Sequence, residues 1–323
     1  MDAVVIACQR LAVLFTECSF VCILAYAALL YLFTGVFRKT LYIPFKLYFL
    51  AKYLPGVDLQ KLGRWAVITG ATDGIGKEYA KSLAQKGLDI VLVSRSPSKL
   101  AKVAEEIKTG YGVCVQTIVA DFTRVDIYDK IKKALEGLDI AVLINNVGMT
   151  TNLSTFLKTK QLLEKTVDLV NVNCVSMTNM TALVLPHMLE KRKGVIVNLS
   201  SIASYGFIGT ATYSATKAYA SKISEMVQRT YKDSGVIIQT IEPGMVETPM
   251  VMVAYKEDSP RIDFMDKALK YSAISADTFV KSAINTIGWS DCCNGHVLHH
   301  FVCLFSRMQG AAADVKLLGD LPE

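Results

Sequence analysis

Short apolar runs alternate along this chain with longer stretches in which apolar residues recur at helical spacing. The apolar runs are Trp65–Thr69, Ile90–Val93, Val113–Val119, Ile140–Ile144, Val195–Leu199 and Val236–Ile241. The stretches between them include Lys77–Lys86, Lys99–Lys108 and Tyr128–Leu135. This alternation predicts repeated βαβ units, and therefore an α/β fold with a doubly wound parallel sheet. Because helices would cover both faces, we expect strands that are apolar and buried almost throughout.

The N-terminus has a different pattern, because Cys18 to Phe37 is a run of 20 residues without a charge. That length is enough to cross about 30 Å of hydrocarbon as a helix. More basic residues follow the run than precede it, so the positive-inside rule predicts a membrane helix with the remaining chain in the cytosol. Aromatic residues and lysines mix over 40–54, which suits a segment lying in the membrane interface. The alternative is a cleaved signal peptide, for which 25–27 supplies an A-x-A sequence but the N-terminus supplies no cationic region.

These patterns predict three parts: a membrane anchor with an interfacial segment over 1–63, a single α/β domain over 64–300, and a C-terminal tail over 301–323. The chain has 323 residues, which is enough for one large domain with a full core. Hydrophobic residues make up 52% of it, and its mean hydropathy is +0.34. That excess is high for a soluble enzyme, and the N-terminus holds much of it.

Charge and cysteine content exclude two classes of function. The net charge of +6 comes from 35 basic and 29 acidic residues spread along the chain, so no basic stripe indicates a nucleic-acid partner. The 8 cysteines form no C-x-x-C pair and only 4 histidines are present, which argues against a metal site. Reduced thiols in a domain facing the cytosol fit this cysteine usage best.

A glycine cluster directly follows the first predicted strand. Gly70, Gly74 and Gly76 have the spacing G-x3-G-x-G, and a helical stretch comes next. Glycine lets the backbone turn tightly and approach a pyrophosphate, and the amides at the helix N-terminus favour the anion. A glycine loop between a strand and a helix is typical of dinucleotide-binding (Rossmann) domains.

The end of the second predicted strand indicates which dinucleotide is bound. It reads Val93-Ser94-Arg95, where an NAD-binding protein would place a carboxylate for the ribose hydroxyl. A hydroxyl and a guanidinium can instead bind a 2′-phosphate, so we predict NADP(H). The alternative is that Arg95 is a solvated turn residue. Asp121, after the third strand, is a candidate for contact with the adenine.

One Tyr-x-x-x-Lys pair has a context that suits carbonyl reduction. Four such pairs occur, but only Tyr213 and Lys217 lie about a dozen residues after a strand that ends in Ser200-Ser201. The spacing puts both side chains on one helix face. An ammonium close to the phenol would lower the pKa of Tyr213 towards the working range, and a serine hydroxyl could donate to the substrate oxygen. Tyr213 is then the acid in reduction and the base in oxidation.

These motifs, in this order, resemble those of the short-chain dehydrogenase/reductase family from about Arg64 to the region of His299. The resemblance implies a catalytic Asn, which falls on Asn173, where it would hold a water that relays protons to Lys217. The resemblance also implies that the segment Ile241–Thr248, after the sixth strand, closes over the nicotinamide. We therefore predict the catalytic residues Tyr213, Lys217, Ser201 and Asn173. The predicted cofactor-binding residues are Gly70, Thr72, Asp73, Gly74, Ile75, Gly76, Ser94, Arg95, Asp121, Asn146, Gly148, Tyr213, Lys217, Pro243, Val246 and Thr248.

The sequence departs from the family at the serine. The catalytic serine of the family usually precedes the tyrosine by 13 residues, whereas Ser201 is 12 residues before Tyr213. Either the intervening loop is one residue shorter or Ser200 takes the role. Strand register favours Ser201.

The N-terminal apolar run and the segment Gly63–Lys77 are similar to a narrower group. It contains the microsomal 17β-hydroxysteroid dehydrogenases of types 3 and 12, and type 12 is also the very-long-chain 3-oxoacyl-CoA reductase of fatty-acid elongation. The resemblance implies an NADPH-dependent enzyme of the endoplasmic reticulum membrane with a lipophilic small-molecule substrate. A 3-oxoacyl-CoA is our first expectation and a ketosteroid the alternative; a catalytically silent membrane scaffold is an alternative of another class. Family enzymes often pair through helices, which suggests a homodimer.

Overall fold

A computed structural model describes residues 22–27, 29–150, 162–206, 210–254 and 272–304 of the chain. Contacts divide the chain into two compact units, Met1–Lys46 and Leu47–Glu323. The first part of the predicted membrane segment, 18–21, lies outside the described residues.

The described residues of the first unit are helical and apolar. They include one π-helical turn, Arg38–Tyr42, where Thr40 Oγ1 donates to the carbonyl oxygen of Val36. The helical stretch Cys22–Tyr53 has 32 residues and a mean hydropathy of 1.4, and none of its most apolar window is buried. A second helical stretch of comparable length, Lys165–Glu190, is mostly buried, as a core helix would be.

The second unit is built on one sheet of seven parallel strands. The strands are β1 (Trp65–Thr69), β2 (Asp89–Ser94), β3 (Val115–Val119), β4 (Ile140–Asn145), β5 (Gly194–Leu199), β6 (Val236–Ile241) and β9 (Cys292–Cys293). Their spatial order in the sheet is β3-β2-β1-β4-β5-β6-β9. The order in which strands are added therefore reverses between β1 and β4, although all strands are parallel. A separate pair, β7 (Val246–Glu247) and β8 (Ile274–Ser275), is also parallel.

Helices connect the strands and cover both faces of the sheet. They are α1 (Gly74–Gln85), α2 (Pro97–Tyr111), α3 (Tyr128–Leu135), α4 (Leu162–Val170), α5 (Ser176–Glu190), α6 (Ala211–Thr230), α7 (Pro249–Ala254) and α8 (Ala276–Asn285). Between α4 and α5 the helix continues through a π-helical segment, Asn171–Val175. Helix α2 begins with Pro97 and ends at Gly112 in the left-handed conformation, which are the usual signals for each end.

The predicted doubly wound parallel sheet is confirmed, and most strands lie within one or two residues of their predicted bounds. β1, β2, β4 and β5 are buried along their whole length, as strands covered on both faces should be. The expectation is wrong for β3, in which Gln116, Thr117 and Val119 are exposed. β3 lies at the edge of the sheet, where fewer helices cover it.

Parallel strands all end at the same edge of the sheet. The segments that follow β1, β2, β4, β5 and β6 therefore converge at the carboxyl edge, next to the reversal between β1 and β4. In open α/β sheets this crevice is the usual ligand site. Every catalytic or cofactor residue predicted from the sequence lies at the end of one of these strands, in one of these segments or the segment after β3, or in the helices beyond them.

Candidate active site

The glycine loop makes a tight turn directly after β1. Gly70 has φ +64° and Gly74 has φ +49°, values that L side chains rarely adopt. A Cβ on Gly76 would lie 2.3 Å from Asn146 Nδ2 and 2.4 Å from the carbonyl oxygen of Gly70. The loop therefore packs directly against the segment after β4, and only glycine fits at its centre.

Helix α1 begins in this loop. Asp73 is its N-cap residue, and its Oδ1 accepts a hydrogen bond of 2.9 Å from the backbone N–H of Gly74. Ile75 is half-buried in the first turn. The first amides of the helix and its dipole are then directed towards the loop, an arrangement that fits a pyrophosphate.

Asn146 joins the glycine loop to the end of β4. Its Nδ2 donates to the carbonyl oxygens of Thr69 (2.9 Å) and Gly70 (3.2 Å). Thr69 completes the junction, since its Oγ1 accepts from the backbone N–H groups of Asn146 and Val147, both at 3.0 Å. The sequence argument assigned Thr69 no role of its own, although a threonine that ends an apolar strand is a signal that could have been followed; the structure buries it completely.

Asn145 ties neighbouring elements of the core. Its Nδ2 donates to Asn198 Oδ1 on β5 (2.8 Å) and to Thr181 Oγ1 on α5 (3.1 Å). Asn198 in turn donates to Ser224 on α6 (2.8 Å). Asn198 was also missed, although it is a polar residue within the buried strand β5.

The end of β2 carries the residues predicted to bind the 2′-phosphate of the ribose. Ser94 is buried, and its Oγ lies 3.0 Å from Thr72 Oγ1 in the glycine loop. Arg95 is exposed directly beyond, and no ion pair joins it to another described residue. The hydroxyl pair of Thr72 and Ser94 is therefore followed directly by an exposed arginine at the predicted site of the 2′-phosphate. Asp121, after β3, accepts from the backbone N–H (3.1 Å) and Oγ1 (3.0 Å) of Thr123, which holds its carboxylate in a local turn.

Tyr213 and Lys217 lie one turn apart on α6, and both are directed towards the same crevice. Lys217 is 4% exposed; its Nζ donates to the carbonyl oxygen of Leu199 (3.0 Å) and lies 5.8 Å from the centre of the Tyr213 ring. A Cβ on Gly148 would lie 3.5 Å from that Nζ. Lys217 therefore lies beside the β4 segment that carries Asn146.

The expected lowering of the tyrosine pKa is wrong for this structure. Burial raises the pKa of Tyr213, and a hydrogen bond with Ser201 lowers it only in part. Burial also lowers the pKa of Lys217 to about 8. Desolvation penalises both charged forms in the buried crevice, and the sequence argument did not take it into account.

The two candidate serines have different surroundings. Ser201 is half-buried; its hydroxyl is close enough to the phenol to lower the pKa of Tyr213 in part, and its Oγ accepts from the backbone N–H of Ala203 (3.1 Å). Ser200 is 4% exposed, and its Oγ donates to the carbonyl oxygen of Lys217 (2.7 Å). The structure therefore brings Ser201, and not Ser200, to the phenol.

Asn173 lies in the π-helical segment, 1% exposed. Its Oδ1 accepts from the backbone N–H of Met149 (2.8 Å), and its Nδ2 donates to the carbonyl oxygen of Met149 and to Thr216 Oγ1, both at 2.9 Å. These contacts fix the segment after β4 to the helix that carries Tyr213. Asn173 and Lys217 both lie beside Gly148. A water that relays protons from Asn173 to Lys217 would have to bind at this place.

The segment after β6 lies against the glycine loop. A Cβ on Gly74 would be 2.8 Å from Thr248 Cγ2, and the carbonyl oxygen of Pro243 accepts from the backbone N–H of Ile202 (3.0 Å). Val246 is buried in β7. Pro243, Val246 and Thr248 therefore lie on a segment that spans the crevice from the serine loop to the glycine loop.

Histidines and cysteines contribute no metal site among the residues that the structure describes. His299 is fully buried, with its Nε2 3.0 Å from the carbonyl oxygen of Met245, and burial lowers its pKa to about 4. It supports the segment after β6 from beneath, because a Cβ on Gly244 would lie 2.9 Å from its ring.

Comparison with known proteins places these features in a family. The sequence profile described as short chain dehydrogenase matches residues 64–259. The chain is 43% identical over 241 residues to a very-long-chain 3-oxoacyl-CoA reductase of Mus musculus, covering 74% of this chain and 73% of that one. It is 44% identical over 231 residues to the 17-beta-hydroxysteroid dehydrogenase type 3 of Mus musculus, covering 70% and 75%.

Solved structures agree with this result. A short-chain dehydrogenase from Sphingobium yanoikuyae, in complex with NADPH, is 27% identical with a TM-score of 0.62, covering 78% of this chain and 96% of that one. A structure reported for the stereoselectivity of 7beta-hydroxysteroid dehydrogenase is 26% identical with a TM-score of 0.64, covering 73% and 89%.

Proposed function

The chain belongs to the short-chain dehydrogenase family and is an oxidoreductase, and we propose that it reduces the carbonyl group of a lipophilic substrate with NADPH. The observation that carries this proposal is the Tyr213 ring 5.8 Å from the Nζ of the buried Lys217, beside Ser201, at the sheet edge that also holds the glycine loop. A proton donor, a hydroxyl and a cation then surround one position next to a dinucleotide site, which is what carbonyl reduction requires.

NADP(H) is the cofactor that the residues of the crevice fit. The pyrophosphate would lie on the glycine loop at the N-terminus of α1, and the 2′-phosphate would lie between Thr72, Ser94 and Arg95. The NADPH complex of the Sphingobium yanoikuyae relative supports the same choice. When bound, the cofactor supplies the hydride to the carbonyl carbon.

The residues of the chain supply the rest of the chemistry. Ser201 donates a hydrogen bond to the carbonyl oxygen as negative charge develops there, and Tyr213 transfers its phenolic proton to the same oxygen. The ammonium of Lys217 stabilises the phenolate that remains. Asn173 holds the segment after β4 against α6, which fixes the distance between the tyrosine and the cofactor crevice.

We propose a 3-oxoacyl-CoA as the first candidate substrate and a 17-ketosteroid as the second. The two groups of relatives are equally similar, at 43% and 44% identity, and support one candidate each. An apolar ligand is supported by Met250, whose Cε lies 3.5 Å from the position of a Cβ on Gly148. A flexible methionine over the reactive position suits a lipid chain or a sterol ring.

The same proposal assigns the N-terminal helix to a membrane. The helical stretch Cys22–Tyr53 has the length and hydropathy of a membrane span and leaves its apolar window exposed. We place it in the endoplasmic reticulum with the catalytic unit in the cytosol. Protease treatment of sealed microsomes tests this, because it should digest the catalytic unit; protection of that unit would reverse the orientation.

A substrate panel tests the proposed function. The purified full chain, in vesicles with NADPH, is offered a 3-oxoacyl-CoA, a 17-ketosteroid and a retinal, and oxidation of NADPH is followed by absorbance. We expect the 3-oxoacyl-CoA to be consumed fastest. Fastest consumption of the steroid would favour the second candidate, whereas consumption of none, with NADPH still bound, would identify a silent scaffold.

A further inference from the structure

A buried carboxylate lies behind the proposed catalytic residues. Glu242 directly follows β6 and is 3% exposed. Among the described residues, no basic side chain forms an ion pair with it. A buried acidic group without a cation is costly and persists only where hydrogen bonds compensate it. Its contacts therefore indicate what it does.

One oxygen of Glu242 holds the loop that carries Ser201. Its Oε2 accepts a short hydrogen bond from Tyr205 Oη. Tyr205 is the last residue of the 3-10 turn Ile202–Tyr205, whose N-cap residue is Ser201. The turn is also held at its start, where the backbone N–H of Ile202 donates to Pro243 (3.0 Å). Both ends of the serine loop are thus attached to the end of β6.

The other oxygen of Glu242 holds the helix that carries Tyr213 and Lys217. Its Oε1 lies 2.7 Å from Ser221 Oγ, one turn beyond Lys217 on α6. The same Ser221 Oγ lies 2.7 Å from Ser200 Oγ, which reaches the carbonyl oxygen of Lys217. The carboxylate therefore contacts the helix on the face that presents the tyrosine and the lysine.

The backbone of Glu242 is fixed independently of its side chain. Its N–H donates to the carbonyl oxygen of Cys293 (2.8 Å), and its own carbonyl oxygen accepts from Asn294 Nδ2 (3.0 Å). The carboxylate is therefore presented from a rigid part of the sheet. Each of its oxygens then contacts a different catalytic element.

We propose that Glu242 is a positioning residue that sets the distance between Ser201 and Tyr213. The inference rests on the proposed function, because it assigns a role in the same reaction. Ser201 comes from the loop after β5 and Tyr213 from α6, and residues 207–209 between them are not described. Glu242 joins both elements through one side chain, in addition to the contacts of Ser200 and Lys217 between β5 and α6. A displacement of about 1 Å between reacting groups can cost on the order of 100-fold in rate.

Four variants of the full chain test the proposal. Glu242→Leu removes both contacts of the carboxylate, and Tyr205→Phe removes its contact to the serine loop. Ser221→Ala removes its contact to the helix together with the hydrogen bond between Ser221 and Ser200. Glu242→Gln keeps the shape and can still accept from Tyr205 and donate to Ser221. We expect kcat to fall about 100-fold in the leucine variant and about tenfold in each single-contact variant, with the Kd for NADPH nearly unchanged. The glutamine variant should retain kcat within a few-fold.

A matched control uses another tyrosine hydroxyl, one on α6 that does not contact Glu242 in the described residues. Tyr219 lies on the same helix, and its hydroxyl is 2.8 Å from Thr178 Oγ1. Tyr219→Phe should leave kcat unchanged. A glutamine variant as impaired as the leucine variant would overturn the proposal, as would Tyr205→Phe with the turnover of the wild type.

Hydrogen exchange separates this proposal from the proposed function. The backbone amides of Ile202 and Ala203 should exchange at least about tenfold faster in Glu242→Leu and Tyr205→Phe than in the wild type or Tyr219→Phe. This measurement needs no substrate. A wild type that reduces no carbonyl would overturn the proposed function while exchange still decides whether Glu242 orders the loop. Unchanged exchange would overturn the positioning role whatever the activity.

Discussion

Lys217 Nζ lies 5.8 Å from the centre of the Tyr213 ring and donates to the carbonyl oxygen of Leu199, the last residue of β5. The lysine is thus attached to the strand that leads into the serine loop, while the tyrosine one turn earlier lies above it on α6. The hydroxyl of Ser201, which lowers the pKa of the phenol in part, completes the arrangement. Acid, cation and hydroxyl are held by two elements of the fold.

Tyr213→Phe is expected to abolish turnover while NADPH still binds. The substitution removes the only proton donor that we assign to the reaction and leaves the ring and its packing in place. Turnover with the best carbonyl substrate and the Kd for NADPH, by fluorescence titration, check both parts. If the Tyr213→Phe variant turns over substrate as fast as the wild type, the role of the phenol is refuted.

The pH dependence of kcat for reduction should report the ionisation of Lys217. Because burial lowers the pKa of Lys217 to about 8, the ammonium that stabilises the phenolate is lost as the pH rises through that value. We expect kcat for reduction to fall above about pH 8. Lys217→Arg keeps its charge to higher pH, so the fall should move upward in that variant even if its maximal rate is lower. An unchanged midpoint would exclude Lys217 as the titrating group.

Deprotonation of Lys217 should not unfold the chain, so it should not lower kcat above about pH 8 by that route. Its pKa is lower in the folded chain than in the unfolded chain, so above about pH 8 the unfolded state binds more protons at this site. The free energy of unfolding contributed by Lys217 therefore rises with pH in that range. Buried Cys174 and Cys293 act in the opposite direction, since burial raises the pKa of each to about 11 and their contribution is lost at higher pH. Thermal denaturation across the same pH range separates these effects from catalysis.

The two serines give opposite predictions for rate and stability. Ser201→Ala should reduce kcat by about 100-fold or more, because it removes a donor to the developing oxyanion. Ser200→Ala should keep kcat within about tenfold and lower the free energy of unfolding by about 1 kcal/mol, because it removes a buried hydrogen bond to the backbone of Lys217. Measurement of kcat and of the free energy of unfolding in urea for both variants decides which serine is catalytic. The reverse pattern would make Ser200 the catalytic serine.

The sequence predicted the sheet because its signals are local. Buried parallel strands are short apolar runs, and the glycine loop is recognisable from Gly70, Gly74 and Gly76 between a strand and a helix. The edge strand β3 was expected to be buried because periodicity does not reveal which strand lies at the edge of the sheet. That position depends on strand order, which arises from contacts between segments far apart in the chain.

The site could be predicted where its residues lie close together in the sequence, but not where residues far apart in the sequence come into contact. Tyr213 and Lys217 are one turn apart, so their spacing was visible. Glu242 contacts Tyr205 and Ser221 from other elements, and no spacing in the sequence indicates that meeting. The pKa of Tyr213 was misjudged for the same reason, because burial is a property of the assembled crevice.

Arg95→Asp should shift the cofactor preference from NADPH towards NADH. The guanidinium is exposed beyond Ser94 without an ion pair to another described residue, so it is available for the 2′-phosphate. Losing a charge-assisted hydrogen bond and adding a like charge should raise the KM for NADPH at least about tenfold. Arg229→Asp, the same change at an exposed site near the end of α6, is the control. If the ratio of kcat/KM for the two cofactors does not change, Arg95 does not select the cofactor.

Gly76→Ala and Gly110→Ala form a matched pair that tests the glycine loop without touching a proposed catalytic residue. The Cβ of an alanine at position 76 would lie 2.3 Å from Asn146 Nδ2 and 2.4 Å from the carbonyl oxygen of Gly70, so the loop must shift. A Cβ at position 110, in α2, would meet nothing within 4 Å. Alanine should therefore stabilise the helix there by about 0.5–1 kcal/mol, because the unfolded chain loses freedom.

Since the two substitutions add the same methyl group, a difference between them reflects position alone. Gly76→Ala should weaken NADPH binding by at least about tenfold and destabilise the fold by about 1–3 kcal/mol, the usual cost of overpacking. Calorimetric titration with NADPH and thermal denaturation of both variants measure the two effects. NADPH binding as tight in Gly76→Ala as in Gly110→Ala would show that the dinucleotide does not lie on this loop, and the assignment of the whole crevice would then have to be abandoned.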